Sequence, residues 1–437
     1  MKVPAGIGDY AFISDNTQEA DSETLFLETA QNAPYRESLS PSQRRISPRE
    51  LMKAWGIDEM RVVGVTGTNG KTTVTALIYS LLVDLDIGVA LQGTRGLFVN
   101  DERLEEHTMT TPSILHTLYN MKRARESGAD CFVMEVSSHA IDQDRIEGLD
   151  FALKVHTNVT GDHLDYHGSI EEYRRVKSRF FSDDSLKLIN RDDSGKIEFD
   201  PRNAYTYGVD EPASFKVDAY SLDGGISAIV RHGDERSGFF SNMMGLFNLY
   251  NIVAAVASVK LLTHRPFDDI CDAVENFGGV AGRMEIVSRD PLVIVDFAHT
   301  HDGMYRVMDS LKERDLVVVF GAGGDRDRQK RPKMGAVAGR FAKKIYVTSD
   351  NPRSEKPEAI ISEILSGLEG KENVKAIADR REAIETALSE LQKGEILLIL
   401  GKGDEDYQEI DGVRHPFDDR EVVRDILSEK ELSKPDS

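Results

Sequence analysis

The run VVGVTGTNGKTTVTAL, residues 62–77, constrains this chain more than any other stretch. β-Branched residues end in a glycine-rich turn and a helix begins near Lys71, so backbone amides of the turn and of the helix N-terminus can converge on one anion. Lys71 can neutralise β- and γ-phosphate charge, and the Thr72 hydroxyl can ligate magnesium. The strict spacing of such a loop asks for glycine at position 65, whereas this chain has Val65 with Gly64 before it. A lone Gly-Lys-Thr would be an ordinary turn; here strand, glycines, lysine and hydroxyl coincide. That order calls for parallel α/β architecture, with ligands at the carboxyl ends of the strands.

The remaining chain repeats the pattern. CFVMEVS and LKVHTNV are further strands opening into polar loops, and NLYNIVAAVASVKLL reads as a buried helix. Between about 182 and 244, Gly, Asp and Asn punctuation predicts a small inserted meander of strands. A second series follows FGGVAGRME: strands PLVIVDFA, LVVVFGAG, KIYVTSD, VKAIAD and EILLILGKG, separated by helices such as MYRVMDSLKE and EAIISEILSGL. Residues 1–50 hold short apolar pieces and a Ser/Pro/Arg-rich linker. With 437 residues the chain exceeds one core, and we expect a small N-terminal module (1–50), a central phosphate-loop domain (51–282) and a C-terminal Rossmann-like domain (283–437).

Charge and cysteine usage narrow the function. Acidic residues number 75 against 54 basic ones, a formal charge of -21 that argues against nucleic acid and anionic lipid. Cys131 and Cys271 sit in apolar surroundings, so neither a disulfide framework nor a cysteine zinc site is expected, which suits the cytoplasm. Apolar runs such as ILLIL fall far short of the ~20 residues that span a bilayer. The start of the chain has no apolar signal core.

Glu135 closes one predicted strand, and Asp162, His163, Asp165 and His167 follow another, so these groups should share a crevice with the phosphate loop. A carboxylate and an imidazole there could hold magnesium against ATP. Asp165 and His167 serve equally well as capping or surface residues, whereas Glu135, after four apolar residues, calls for a cation partner. Near the far end, YVTSDNPRSEKPEA runs a strand directly into an acid, an amide, a rigid turn and a guanidinium.

TGTNGKT, MTTPS, EVSSHA, HTNVTGDHLDYHGSIEEYRRVK, FNLYNIVAA, GRMEIV, VDFAHTHD, GGDRDRQKRPKM, SDNPRSE and GKGDEDYQ together resemble the Mur ligases, from about Val62 to Leu427. Within that family the chain is most similar to the branch that adds the third residue of the peptidoglycan stem peptide. The resemblance implies a three-domain fold and an ATP-dependent amide ligase. The γ-phosphoryl group passes to a substrate carboxylate, an amine attacks the acyl phosphate, and amide and phosphate result. Such a route needs positioning and charge neutralisation more than a protein nucleophile.

By the same resemblance, Gly67, Thr68, Asn69, Gly70, Lys71, Thr72 and Thr73 bind ATP, Asn248 and Asn251 meet adenine, and Arg283 and Asp296 meet phosphate and ribose from the C-terminal domain. ATP held by two domains implies closure on binding. Lys71, Lys177, Glu135 and His163 are the catalytic set. Thr72, Glu135, His163 and Lys177 serve magnesium, with Lys177 as a carbamate (N6-carboxylysine). Thr110, Thr111, Ser137, Gln143 and Arg145 match residues that hold UDP-N-acetylmuramoyl-L-alanyl-D-glutamate. Thr17, in FISDNTQEADSETLFL, joins them from an N-terminal segment about half the family's usual length. Phe297, His301 and Asp404 depart from the family pattern, which carries Tyr, Pro and His there.

Asp-Asn-Pro-Arg is the family's signature for meso-diaminopimelate, whose distal centre carries a carboxylate and an ammonium. Arg353 and Arg326 are the expected clamps on the carboxylate, since a guanidinium grips it bidentately. Asp350 and Asn351 assist, Pro352 fixes the turn, and Glu405 with the Gly401 carbonyl takes the ammonium. Lysine lacks the carboxylate, and a buried unpaired Arg353 would reject it on the order of 10⁴-fold. The same ligase using L-lysine and an ATP-binding regulatory relative without synthesis are the competing readings. A monomer with small-molecule substrates is expected.

Overall fold

The computed structural model describes residues 1–100, 102–106 and 109–432. The Asp165 side chain lies outside that description, so its expected place beside the phosphate loop does too. The chain divides into two compact units, one formed by Met1–Ser241 with Asn248–Phe277 and the other by Asn242–Phe247 with Gly278–Ser437.

The first unit opens with a four-stranded sheet, Lys2–Ile7, Tyr10–Ser14, Thr24–Leu27 and Arg45–Ile46, followed by the helix Pro48–Trp55. A reciprocal Ser47 and Glu50 capping box starts that helix and left-handed Gly56 ends it. An eleven-stranded sheet then carries the chemistry. Its parallel part reads Val89–Gly93, Cys131–Glu135, Arg61–Thr66, Phe151–His156, Lys187–Asn190, Ala204–Gly208 and Phe215–Ser221. Register places Val65 opposite Glu135 and Thr66 opposite His156. The loops after all three strands therefore leave the same edge.

Gly64, the glycine displaced from the expected spacing, is where a side chain would be driven to within 2.6 Å of the Phe151 ring and 2.7 Å of the Phe180 ring. The central strand thus gives up its side chain at 64 to two core aromatics, while Val65 is fully buried as an ordinary strand residue. Each such buried apolar side chain stabilises the fold by about 1.5–3 kcal/mol.

The expected meander is a continuation of the main sheet. Lys187–Asn190, Ala204–Gly208 and Phe215–Ser221 extend it in parallel, and only Ile226–His232 and Glu235–Ser241 are added as antiparallel strands. The helix Leu246–Leu262 is buried from Leu249 to Val259 on nearly every side, as its unbroken apolar sequence requires.

The second unit holds a six-stranded sheet ordered Glu285–Arg289, Leu292–Asp296, Ile396–Leu400, Leu316–Phe320, Ala342–Val347, Val374–Ala376. All five expected strands are present and parallel; the antiparallel edge Glu285–Arg289 and the hairpin Tyr407–Ile410/Val413–Pro416 were not anticipated. Separate apolar clusters cover its two faces. Among the described residues no helix is long and apolar enough to cross a membrane. Cys131 and Cys271 are buried free thiols, and burial pushes them up to about 12 and about 11.

Candidate active site

In the first unit the strand Arg61–Thr66 runs into the loop 67–70, and the helix Lys71–Asp84 starts from Gly70 at φ 87. Glycine is required at 70, because that left-handed backbone strains other residues and a side chain would meet Asn251 Oδ1 at 2.5 Å. The loop is tied to the segment after Phe151–His156. Thr68 N donates to Asn158 O (2.8 Å), Asn69 N donates to Asn158 Oδ1 (3.0 Å), and Thr157 Oγ1 donates to Asn69 O (2.6 Å). Thr68 Oγ1 also meets the Tyr173 hydroxyl at 3.0 Å. Thr157, Asn158 and Tyr173 were missed in the sequence; their residue types are common, and only Thr157 and Asn158, directly past a strand, carry a hint of the role, while Tyr173 lies within the helix Ile170–Arg179.

Two lysines point at this loop. Lys71 Nζ donates to Gly67 O and Thr68 O, both at 2.9 Å, and Lys177 Nζ donates to Gly67 O at 3.0 Å and to Thr66 Oγ1 at 3.3 Å. Lys177 is 1% exposed, and burial, followed by the charge of Lys71, drives its pKa well below the usual lysine range. Asn248 and Asn251 are buried on one turn of the helix Leu246–Leu262, with Asn251 Nδ2 donating to Asn248 Oδ1 at 3.0 Å. Thr73 is buried in the first turn of the loop's helix.

Glu135 is buried at the end of its strand, and both of its carboxylate oxygens accept hydrogen bonds. Thr72 Oγ1 donates to one oxygen at 3.0 Å and Thr94 N to the other at 3.0 Å, so a hydroxyl and an amide satisfy the buried carboxylate. Thr94 Oγ1 meets Thr110 Oγ1 at 3.0 Å, and Thr111 Oγ1 donates to Glu135 O at 2.9 Å while accepting from Ser137 N at 3.0 Å. Arg145 donates to Thr111 O (3.1 Å) and through Nε to Gln143 Oε1 (2.9 Å). Thr110, Thr111, Ser137, Gln143 and Arg145 therefore form one polar patch joined to Glu135.

His163 has a left-handed backbone at φ 53, and its ring lies 4.9 Å from that of His139. Desolvation lowers its pKa against the pull of Asp162, even with 47% of the side chain exposed, which favours the neutral imidazole able to ligate a metal. His167 Nε2 is 3.0 Å from Ser138 Oγ, in keeping with a structural role. Among the described residues no group of three or more His, Cys, Asp and Glu is placed to hold a metal ion. The oxygens of Thr72 and Glu135 nonetheless fit magnesium, a hard cation that takes phosphate oxygens and keeps several waters. Thr17 lines a separate cleft of about 250 Å³ with Asp15, Asn16, Asn32 and Tyr35.

In the second unit, Asp296, Leu400, Phe320 and Val347 close four neighbouring strands in that order, and the loops 321–326, 348–353 and 401–405 leave one edge. Asp350, at the head of Asp-Asn-Pro-Arg, accepts from Asn351 N at 2.7 Å through Oδ1. Asn351 Nδ2 donates to Glu405 Oε2 at 2.8 Å. Arg353 Nη1 donates to Gly324 O at 2.8 Å, and its Nε lies 3.4 Å from Glu409. A side chain on Gly323 would stand 2.9 Å from Arg353 Nη1 and 3.7 Å from Arg326 Cγ, so the two arginines flank one point.

Arg353 is 20% exposed and already paired, not buried and unpaired, so a substrate without the distal carboxylate strands less charge than expected. The 10⁴-fold discrimination inferred from its burial is correspondingly too large. The two arginine loops are stapled by Arg331, fully buried, which donates to Glu355 (2.7 and 2.9 Å), Glu363 (2.8 Å) and Gly323 O (3.1 Å). Arg380, also buried, clasps Asp419 with two bonds and holds Ser349 O and Leu400 O. Neither arginine was singled out in the sequence.

Arg283 lies over the Phe297 ring at 4.2 Å, and Asp296 accepts from Met284 N at 2.8 Å and Ala298 N at 2.7 Å. Burial raises the Asp296 pKa against the opposing charge of Arg283. The turn before Arg283 is pressed on the amino-acid loop: a side chain at Gly282 would come within 2.0 Å of Asp404 N, and Gly401 N donates to Asp296 O at 3.1 Å. Gly401 is buried beside Asp350.

Comparison with known proteins shows the family. Residues 65–259 match the Mur ligase middle domain, and 282–403 match the Mur ligase, glutamate ligase domain. The protein of Wolinella succinogenes named UDP-N-acetylmuramoyl-L-alanyl-D-glutamate–2,6-diaminopimelate ligase is 50% identical over 431 residues, covering 98% of this chain and 99% of its own. The like-named Clostridioides difficile protein is 38% identical over 85% of this chain and 79% of its own. A solved structure under that name superposes with TM-score 0.68 at 31% identity, covering 96% of this chain and 95% of the other.

Proposed function

The chain belongs to the Mur ligase family, and on that premise we propose that it is the ATP-dependent ligase joining meso-2,6-diaminopimelate to UDP-N-acetylmuramoyl-L-alanyl-D-glutamate, a MurE-type enzyme of peptidoglycan precursor synthesis. The observation that carries the choice of amino acid is the gathering of Asn351 and Glu405 with Arg353 and Arg326 at one sheet edge, donors for a carboxylate beside an acceptor for an ammonium.

Lys71, at the head of the loop helix, neutralises charge on the transferred phosphoryl group, and amides of residues 67–73 cradle the phosphates. Asn248 and Asn251 meet the adenine, and Arg283 and Asp296 complete the nucleotide contacts. Thr72, Glu135 and His163 would hold magnesium, which supplies further charge neutralisation when bound. Lys177, kept neutral by burial, has the free amine that adds to carbon dioxide with loss of a proton, giving the carbamate oxygen donor. Thr110, Thr111, Ser137, Gln143 and Arg145 bind the muramoyl dipeptide so that its glutamate carboxylate receives the phosphoryl group. The diaminopimelate amine then attacks the acyl phosphate, a C–N bond forms, and phosphate leaves. Thr17 and its cleft serve the uridine.

We assign residues 1–50 to the uridine end, 51–282 to ATP and 283–437 to the amino acid, in a cytoplasmic monomer. Phosphate release with ATP, magnesium, the muramoyl dipeptide and either meso-diaminopimelate or L-lysine tests the reading, with product masses measured. Turnover with diaminopimelate is the expected result. Turnover with lysine alone would overturn the substrate, and silence with both would leave an ATP-binding relative without synthesis.

A further inference from the structure

Lys402, in the turn after the strand Ile396–Leu400, is fully buried, and its ammonium donates to Asn351 Oδ1 at 3.2 Å, Glu405 Oε2 at 3.3 Å and the Tyr407 carbonyl. An ammonium has three donors, and all three are spent inside the protein. Lys402 therefore does not reach a substrate, but it touches both polar side chains assigned to the amino acid.

Its effect on them is directional. Asn351 Oδ1 accepts from Lys402 and from Glu409 N (2.9 Å), so both lone pairs of that oxygen are used and the amide is held with Nδ2 on Glu405 Oε2. Glu405 Oε2 in turn takes Asn351 and Lys402, while no hydrogen bond reaches Oε1 among the described residues and 26% of the side chain stays exposed.

We infer that Lys402 is a positioning residue for substrate selection: it occupies one oxygen of Glu405 and fixes Asn351, leaving the second Glu405 oxygen, ionised, for the distal ammonium of the amino acid. The inference rests on the reading of Glu405 as that acceptor. Burial raises the Glu405 pKa and Asp350 adds to it, whereas Lys402 and the Asn351 amide lower it; Tyr407 and Arg380 are the other titratable or charged groups facing it. Without Lys402 the carboxyl would hold its proton to higher pH and lose the ammonium as a partner.

The test is the pH dependence of KM for meso-diaminopimelate in the full-length enzyme, with kcat and thermal melting recorded alongside, for wild type, Lys402→Met, Lys402→Arg and Glu405→Gln. Lys402→Met is expected to raise KM about tenfold near neutrality, keep kcat near wild type, and shift the acid rise in KM to higher pH. Lys402→Arg should restore most of the affinity, and Glu405→Gln should abolish the acid rise. An unchanged KM profile in folded Lys402→Met, or a loss confined to kcat, would overturn the inference. Should Lys402→Met fail to fold, an acid rise that persists in Glu405→Gln would overturn it instead. Wild type inactive with diaminopimelate would sink the underlying function, a separate result.

Discussion

The nucleotide loop of the first unit and the amino-acid loops of the second are built from opposite materials. Residues 67–70 are held by hydroxyls, amides and carbonyls of Thr157, Asn158 and Tyr173, and the amino groups of Lys71 and Lys177 rest on backbone carbonyls. The loops 323–326, 351–355 and 401–405 are held by ion pairs: Arg331 with Glu355 and Glu363, Arg353 with Glu409, Lys402 with Glu405, Arg380 with Asp419. A site for a polyanion can be lined by neutral dipoles, backbone amides and hydroxyls beside a lysine. A site for a zwitterion must hold both signs a few ångströms apart in the empty protein, which requires internal counterions.

Lys71→Ala should have the largest effect, since it removes the ammonium at the head of the loop helix that we assign to the transferred phosphoryl group: kcat falls about 10³-fold, read as phosphate release, with melting unchanged. A loss confined to KM would contradict the contrast. Arg353→Ala should lower kcat/KM for diaminopimelate about 10²-fold, and lysine turnover far less. Equal losses for both amino acids would make Arg353 a structural counterion of Glu409 only.

Gly64→Ala tests whether the phosphate-loop strand depends on shape rather than charge. Overpacking against Phe151 and Phe180 should cost about 1–3 kcal/mol, seen in denaturant melts, with no dependence on salt. Glu355→Gln probes the other side and should act through pH. Arg331 beside Glu355 holds its carboxyl down to about 2 from an ordinary 4.5, so its stabilising effect is complete above pH 4.5 and lost as pH falls toward 2. The variant should melt lower at pH 7 and lose less stability between those pH values. A wild-type acid profile in the variant would show that Arg331 does not need this partner.

How much could be read beforehand follows the same division. The phosphate loop is local: strand, glycines, Lys71 and Thr72 lie within twelve residues, Arg61 to Thr72, and their periodicity announces the elements. The five strands of the second unit were legible as apolar runs. What escaped is non-local. Arg380 finds Asp419 thirty-nine positions away, and Arg331 and Lys402 look in sequence like any solvated surface charge. Lys177 entered only through family resemblance, because nothing around EYRRVKSRF says that one face of its helix is buried under Gly67. The strands Lys187–Asn190 and Ala204–Gly208 were hidden by their four- and five-residue lengths, too short to reveal whether they pair in parallel.

The turn at Gly282, pressed on the backbone of Gly403 and Asp404 just ahead of Arg283, also limits how this enzyme can be re-engineered. Transplanting the 401–410 loop from a ligase of different amino-acid preference would bring a backbone path shaped for another partner at 282. The graft should succeed only when residues 278–284 travel with it, making the smallest exchangeable cassette two segments more than a hundred positions apart.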